Sequence, residues 1–226
     1  MEKIIIKDLT ANYGAKTVIR SLCFTLDTNC FSVLTGNNGI GKSTLFKCIK
    51  GLSPYTGDIV FPFSKFRIAY LAQKQHPVFE IKVIDLVLMG RFSHNPYGYK
   101  YATKDYQIAE EKLNELGIID LRDKFLDELS GGQQQLVWLA QLMVQEADLY
   151  LLDEPLQYLD LKNRKLFLDA ITRFQQNQNT TVCISCHEMS LLNHYEGRIY
   201  YMHSIGMESY IMTSETIEKV ESKLLI

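Results

Sequence analysis

Short β-prone stretches separated by turn residues characterise the amino-terminal part of the chain. Apolar and β-branched residues cluster at Ile4–Ile6, Ser21–Leu26 and Asp58–Phe61, with Gly14 and the run Asp27-Thr28-Asn29 as breaks. Strand-length segments bounded by glycine, aspartate and asparagine are typical of antiparallel strands joined by turns. The pattern therefore predicts an antiparallel sheet at the amino end.

Four further runs are almost continuously apolar, at Phe31–Thr35, Ile68–Leu71, Leu149–Leu152 and Thr181–Ser185. Such runs suit strands of a parallel sheet that is covered on both faces. The first run is followed by a helical segment, Ser43–Lys50, which Gly51 closes. We therefore expect an α/β fold with a parallel core.

Residues from about 76 to 145 carry a mainly helical pattern instead. Val83–Met89 and Thr103–Leu116 have apolar residues at helical spacing, and Gly117 ends the second segment. Gly90–Tyr101 lies between them and is a loop by composition. We expect a helical subdomain inserted into the core of a single domain that covers residues 1–226.

The carboxyl-terminal part predicts a hairpin and a final helix. Arg198–Met202 and Ser209–Met212 are strand-like, with a turn near Gly206, and a short helix is expected from about Ser214.

Composition narrows the class of protein. Lys+Arg 24 against Asp+Glu 26 gives a formal net charge of −2, which indicates neither nucleic acid nor an anionic membrane as a partner. There is no run of about 18 apolar residues, and the first apolar stretch is too short for a signal peptide. Five cysteines are then expected as reduced cytosolic thiols. We expect a cytoplasmic protein whose membrane role, if it has one, comes through a partner.

The strongest chemical signal follows the first apolar strand. The eight residues Gly36-Asn37-Asn38-Gly39-Ile40-Gly41-Lys42-Ser43 match the pattern G-x-x-x-x-G-K-[ST]. Glycines let the backbone curl so that N–H groups point inward, and the following helix dipole favours anions. Lys42 is predicted to reach the β- and γ-phosphates of ATP, Ser43 to hold Mg²⁺, and Thr44 to support the α- and β-phosphates.

A second signal lies where the run Leu149–Leu152 ends. Asp153 and Glu154 follow this predicted strand, at the sheet edge where open α/β proteins bind ligands. Asp153 is predicted to hold Mg²⁺, directly or through water. Glu154 is predicted to orient and deprotonate the attacking water.

The run Ser130-Gly131-Gly132-Gln133 has two possible explanations. It fits a capping box, S-x-x-Q, at the start of a helix. The two glycines favour a second explanation, because helix interiors avoid glycine unless something approaches the backbone. A helix start with exposed N–H groups and a serine hydroxyl is then an anion site.

The three motifs in this order resemble the ATP-binding-cassette (ABC) ATPases, whose fold is a P-loop NTPase (RecA-like) core. The resemblance runs from Tyr13 to His187. It implies ATP hydrolysis with Mg²⁺, and it gives four further residues roles. Gln73 would touch Mg²⁺ and the attacking water, His187 the γ-phosphate and Tyr13 the adenine, while Asp160 would cross a dimer interface.

In this family Ser130–Gln133 binds the γ-phosphate of the nucleotide held by the other subunit. The resemblance therefore implies a head-to-tail homodimer with two ATP molecules between its subunits. It also implies an integral membrane permease as partner, a substrate-binding protein as an indirect one, and a position on the inner face of the cell membrane.

Cys183-Ile184-Ser185-Cys186-His187 also fits C-x-x-C-H, the attachment signature of c-type haem. That chemistry needs export and an accessible loop, whereas these cysteines lie in or at the end of a predicted buried strand. We expect no haem attachment.

The segment from Val83 to Arg91 is similar to ATPases of iron-siderophore, haem, cobalamin and zinc or manganese importers. Import of a metal chelate, vitamin B12 or a metal ion is therefore the expected role. The alternatives are an exporter subunit for haem or lipid, and a non-transport ABC ATPase. The sequence departs from the family at positions that do not supply phosphate or Mg²⁺ ligands. These are Gln134, Leu136, Gln141, Leu156, Gln157, Tyr158 and Glu188.

Overall fold

The fold is taken from a computed structural model that describes residues 2–14, 16–73, 80–94 and 100–225. In chain order its strands and helices are β1 (Lys3–Tyr13), β2 (Lys16–Asp27), β3 (Phe31–Thr35), α1 (Lys42–Lys50), β4 (Thr56–Val60), β5 (Ile68–Leu71), α2 (Val83–Met89), α3 (Thr103–Glu115), α4 (Gly131–Met143), β6 (Leu149–Leu152), α5 (Leu161–Gln178), β7 (Thr181–Ser185), β8 (Arg198–His203), β9 (Gly206–Ile211) and α6 (Ser214–Leu224).

The predicted antiparallel sheet at the amino end is confirmed. It has the strand order β2-β1-β4. Its strands are longer than the short apolar clusters indicated, because the alternation of buried and exposed side chains continues beyond them. The pairing of β1 with β2 is interrupted after Ile6, close to Asp8, whose φ of 49° turns the strand locally.

The four apolar runs form the parallel core that the sequence predicts. The second sheet has the order β5-β6-β7-β3-β8-β9, and every pairing is parallel except that of β8 with β9. Residues of β6 alternate between two buried clusters. Leu149 and Leu151 face the amino-terminal sheet and α1, whereas Tyr150 and Leu152 face α5. Both faces of this sheet are therefore covered, which explains why its strands read as unbroken apolar runs.

The described residues between β5 and β6 are mainly helical. Helices α2 and α3 occupy the predicted segments, and with α4 they enclose a third core around Val87, Leu113 and Val137. Gly117 follows α3 with a φ of 68°. In the predicted loop, Phe92–His94 forms a short 3₁₀ turn, while residues 95–99 lie outside the described part. The expected start of the subdomain near residue 76 also lies outside it.

A buried arginine ties these helices together. Arg91 lies just after α2, donates to Asp105 Oδ1 at 3.0 Å and to the Val144 carbonyl at 2.8 Å, and pairs with Glu146 Oε2 at 2.8 Å. Burial alone would raise the pKa of Asp105, but the hydrogen bonds from Arg91 and from the Ala102 N–H lower it. Arg91 belongs to the segment that resembles metal-chelate importers, and its contacts here are structural.

The carboxyl-terminal hairpin and helix are confirmed. Strand β8 ends at His203 and β9 begins at Gly206, so the turn lies just before the predicted glycine. Helix α6 begins at Ser214, and Thr213 caps it by accepting from the Thr216 N–H. Among the described residues, no helix is both long and apolar enough to cross a membrane.

Candidate functional site

The predicted phosphate loop connects β3 to α1 at the carboxyl edge of the parallel sheet. Gly36 begins the loop with a φ of 150°, and a Cβ there would lie 2.3 Å from the Met202 carbonyl oxygen. Gly41 precedes α1 with a φ of 114°, and a Cβ there would lie 3.0 Å from Ile19. The loop therefore needs glycine at both ends, for backbone conformation as well as for space.

The first turn of α1 carries two of the predicted phosphate ligands, Lys42 and Thr44, and the predicted Mg²⁺ ligand Ser43. Among the described residues, no side chain caps the amino end of this helix. Free N–H groups at a helix start, combined with the helix dipole, form a suitable anion site.

The Lys42 side chain is folded back into the loop. It is only 5% exposed, and its Nζ donates to the Gly36 carbonyl at 2.8 Å and to the Asn37 carbonyl at 3.3 Å. Burial lowers the pKa of Lys42, although the carboxylates of Glu154 and Asp153 partly offset this effect. The ammonium group therefore lies within the electrostatic reach of both predicted acids.

Asp153 is held firmly at the end of β6. It is buried, and its two carboxylate oxygens accept hydrogen bonds from Ser185 Oγ at 2.9 Å and from the Tyr70 hydroxyl at 3.4 Å. Burial and the adjacent Asp153 raise the pKa of Tyr70, so this phenol remains a neutral donor. The carboxylate thus has a fixed orientation at the edge where the phosphate loop lies.

The structure brings three predicted catalytic residues into direct contact. Glu154 Oε1 lies 2.9 Å from His187 Nε2, and Glu154 Oε2 accepts from Gln73 Nε2 at 2.8 Å. Glu154 has a φ of 49°, uncommon for a residue other than glycine. A cavity of about 160 Å³ borders Glu154 and His187. Strained backbone and convergent polar groups are typical of functional sites.

Two neighbours of these acids were missed by sequence reasoning. Ser185 ends β7, donates to Asp153 and accepts from the Glu154 N–H at 2.6 Å. Gln157 accepts from Gln73 Nε2 at 2.7 Å. A polar residue at the end of an otherwise apolar run was a signal for Ser185. For Gln157 the only signal was its departure from the family pattern.

Both explanations of Ser130–Gln133 retain support. The capping box is present, because Ser130 Oγ accepts from the Gln133 N–H at 3.4 Å and Gln133 Oε1 accepts from the Ser130 N–H at 3.0 Å. A Cβ on Gly131 would meet no atom within 4 Å, whereas a Cβ on Gly132 would lie 2.6 Å from the Asn163 side chain. Packing against Asn163 therefore explains the glycine at position 132. The space beside Gly131 is open, so a ligand can approach its backbone.

Asp160 and Tyr13 lie at the surface. Asp160 caps α5 by accepting from the Asn163 N–H at 2.7 Å and from the Asn163 amide at 3.1 Å. Tyr13 ends β1 opposite Lys16 and is 83% exposed. The predicted roles of both residues, at a dimer interface and on adenine, remain predictions.

The donor atoms at this edge fit Mg²⁺. Ser43, Asp153 and Gln73 can all offer oxygen, the ligand atom that Mg²⁺ prefers, and this ion usually completes its coordination with phosphate and water. Among the described residues, no group of three or more His, Cys, Asp or Glu side chains could hold a metal ion by itself.

The C-x-x-C-H run lies where the sequence predicts. Cys183 is 2% exposed in β7 and Cys186 is 5% exposed just after it. Burial raises the pKa of Cys183 to about 12 and that of Cys186 to about 11. Protonated, buried thiols are poor nucleophiles.

A larger cavity among the described residues lies elsewhere. Its volume is about 510 Å³, and its lining includes Arg67, Asp148 and Thr181, at the amino ends of the strands. This is the sheet edge opposite the phosphate loop, so size alone does not identify the candidate site.

The fold and the loop define an α/β protein of the P-loop NTPase class. The family description "ABC transporter" matches residues 19–157. The chain belongs to this family.

Several relatives are similar over most of the chain. A Helicobacter pylori protein named as an iron chelatin transport ATP-binding protein is 34% identical over 83% of this chain and 78% of its own length. The manganese transport system ATP-binding protein MntB of Halalkalibacterium halodurans is 29% identical over 95% and 90%. The phosphonates import ATP-binding protein PhnC of Rhodopseudomonas palustris is 33% identical over 88% and 80%.

Solved structures of ABC transporter proteins have the same fold as this chain. An ABC transporter described as of the metal-chelate type, in an inward-facing conformation, matches with a TM-score of 0.84 and 29% identity over 97% of this chain and 89% of that one. An ATP-binding cassette in its ADP conformation matches with a TM-score of 0.84 over 100% and 97%. Its identity of 19% supports the fold alone.

Proposed function

We propose that this chain is the ATP-hydrolysing subunit of an importer and acts on a separate membrane permease. The observation that carries the proposal is the contact of Glu154 with both His187 and Gln73, at the strand end beside the phosphate loop. A carboxylate placed there is suited to activate water against a bound phosphate.

The phosphate loop and Lys42 bind the β- and γ-phosphates in this proposal. Lys42 Nζ exchanges its bonds to the Gly36 and Asn37 carbonyls for bonds to phosphate oxygens. The exchange is favourable because the incoming oxygens are charged, whereas the carbonyls are neutral. Loop N–H groups of Asn38–Gly41 and the hydroxyl of Thr44 complete the phosphate contacts, and Tyr13 stacks on adenine.

Ser43, Asp153 and Gln73 would hold Mg²⁺, which would neutralise the charge that develops on the phosphate oxygens. The protein's part is to keep the side-chain oxygens of these three residues oriented. Ser185 and Tyr70 fix both oxygens of Asp153, so the carboxylate is positioned before the nucleotide arrives.

Glu154 takes the proton of the attacking water, and His187 stays on the other side of the carboxylate to contact the γ-phosphate. Both carboxylate oxygens of Glu154 already make one contact each. Each carboxylate oxygen has a further lone pair, so Glu154 can accept from the water while both contacts remain.

Ser130–Gln133 completes the nucleotide site of a second copy, in a head-to-tail homodimer that Asp160 bridges. The open position at Gly131 and the uncapped start of α1 support this arrangement. ATP closes the dimer, hydrolysis reopens it, and the permease follows through the helical part, residues 76 to 145 of the single unit 1–226. The protein would lie on the cytoplasmic face of the membrane, with a substrate-binding protein as an indirect partner.

The transported substrate is proposed to be a metal ion or a metal chelate such as iron-siderophore, haem or vitamin B12. Relatives named for iron chelatin and manganese transport support this substrate class, and the relative named for phosphonate import supports import over export. The relative named for phosphonate import makes phosphonate the competing substrate class.

Release of phosphate from Mg²⁺-ATP by the purified chain tests the enzymatic part. Glu154→Gln should keep ATP binding, slow hydrolysis by about 100-fold or more, and accumulate an ATP-bound dimer on size exclusion. Glu218→Gln, an exposed carboxylate on α6, is the matched control and should hydrolyse normally. Normal hydrolysis by Glu154→Gln would show that Glu154 is not the base.

Uptake in a deletion strain tests the transport part. Loss of the gene should lower uptake of an iron chelate or manganese, and the unmodified chain should restore it, whereas the Glu154→Gln chain should not. Unchanged metal uptake with reduced phosphonate uptake would instead assign phosphonate as the substrate.

A further inference from the structure

The side-chain amide of Gln73 is bound on both of its N–H bonds. Gln73 Nε2 donates to Glu154 Oε2 at 2.8 Å and to Gln157 Oε1 at 2.7 Å. The proposed function gives roles to Gln73 and Glu154 but none to Gln157.

These bonds fix which atom of the amide faces a ligand. An ionised carboxylate can only accept hydrogen bonds, so the atom of Gln73 that faces Glu154 has to be the nitrogen. An amide nitrogen carries two protons, and Gln157 takes the second. The amide can therefore offer a ligand only its oxygen, which is the atom that Mg²⁺ prefers.

Both acceptors belong to one tight turn. The Gln157 N–H donates to the Glu154 carbonyl at 3.1 Å, so the two side chains are carried on the same short loop. Buried Leu156 and Leu159 anchor this loop in the core. Gln73 is thus attached at two points to the segment that carries the predicted base, and its distance from that base is fixed by the loop.

We propose that Gln157 is a positioning residue for hydrolysis, which acts by holding the Gln73 amide with its oxygen toward the metal and the attacking water. The proposal rests on the proposed function of the same site. It predicts that Gln157 affects turnover and the Mg²⁺ requirement, and that both effects pass through Gln73.

The experiment is a double-mutant cycle on ATPase activity. Gln157→Met keeps the length of the side chain and removes the acceptor. It should lower kcat by about threefold to tenfold, the effect of losing one neutral hydrogen bond, leave KM for ATP within about twofold, and raise the Mg²⁺ concentration needed for half-maximal rate. In a Gln73→Ala background the same exchange should cause no further loss, because the group it positions is gone.

Gln176→Met makes the same exchange at an exposed position on α5 and should leave kcat unchanged. Gln157 is itself exposed, and thermal unfolding checks that its variants fold. Gln157→Asn serves as the second variant, because it keeps the amide but shortens the side chain. Its kcat should fall by as much as that of Gln157→Met.

The two levels of the proposal fail differently. An unmodified chain without ATPase activity would overturn the proposed function and this inference with it. An active chain in which Gln157→Met matches the unmodified protein, or costs as much with Gln73→Ala as without it, would overturn only the role of Gln157.

Discussion

The Asn163 side chain lies against Gly132, so that a Cβ on the glycine would stand 2.6 Å from Asn163 Cγ. Asn163 is not free to move away at no cost, because its amide and its N–H are both bonded to Asp160. The start of α4 and the start of α5 are therefore packed through one small residue.

This contact predicts different effects for two adjacent glycines. Gly132→Ala should destabilise the fold by about 1–3 kcal/mol through overpacking, whereas Gly131→Ala, which meets no atom within 4 Å, should leave the melting temperature nearly unchanged. The double variant Gly132→Ala/Asn163→Ala should recover most of the stability that Gly132→Ala loses. Thermal or urea unfolding of the three single variants and the double variant measures this. Equal melting temperatures for the two alanine variants would contradict the contact.

The buried Lys42 predicts a pH dependence of nucleotide binding. Because burial lowers the pKa of Lys42 below the ordinary 10.5, its ammonium loses a proton at a lower pH than an exposed lysine. Only the charged form attracts phosphate, so the Kd for ATP should rise as pH increases through this lowered pKa, by up to about tenfold per pH unit. Calorimetric titration at several pH values measures this.

Lys42→Arg is the control for this pH effect. A guanidinium stays charged throughout the range, so any binding that the variant retains should be flat in the same pH window. A profile as steep as that of the unmodified chain would assign the titration to another group.

The two separate half-sites predict complementation between defective chains. Ser130→Arg should block the surface offered to the partner's nucleotide, and Lys42→Ala should remove phosphate binding in its own loop, so each chain alone should be nearly inactive. Mixing the two should restore one intact site per heterodimer and part of the ATPase rate. No recovery at any mixing ratio, with both chains folded, would count against head-to-tail pairing.

The Arg91 cluster predicts a stability effect in the helical part. Arg91→Met leaves the Asp105 carboxylate without its main partner, and we expect a loss of about 3 kcal/mol in the free energy of unfolding at pH 7. Arg122→Met is the matched control, because Arg122 pairs with Glu110 where both side chains are 38% exposed, and it should cost less than about 1 kcal/mol.

The Arg91 effect should depend on pH with a definite sign. The pKa of Asp105 is lowered in the fold from 3.8, so its contribution is present above the unfolded pKa and is lost as pH falls through the folded one. The difference in free energy of unfolding between Arg91→Met and the unmodified chain should therefore become smaller below about pH 4. A difference that stays constant from pH 7 to pH 3 would show that the loss of stability does not come from the ionised Asp105.

Local pattern was sufficient for much of the fold. The apolar run Leu149–Leu152 indicates a strand that is buried on both faces. The glycine spacing of the phosphate loop indicates a tightly curved backbone. Each signal lies within one short segment of the chain. For the same reason the sequence placed Asp153, Glu154 and His187 at strand ends, where parallel strands deliver their side chains to one edge.

Partners of those side chains depended on the tertiary structure. Gln73 and Gln157 are 84 residues apart in the chain, and Ser185 and Asp153 are 32 apart. No periodicity links such positions, since their contact depends on the order of strands in the sheet and on the course of the loops. The sequence therefore determined which chemical groups the edge of the sheet carries, and the folded chain decided which of them touch, because hydrogen bonds between distant segments form only after the strands are assembled.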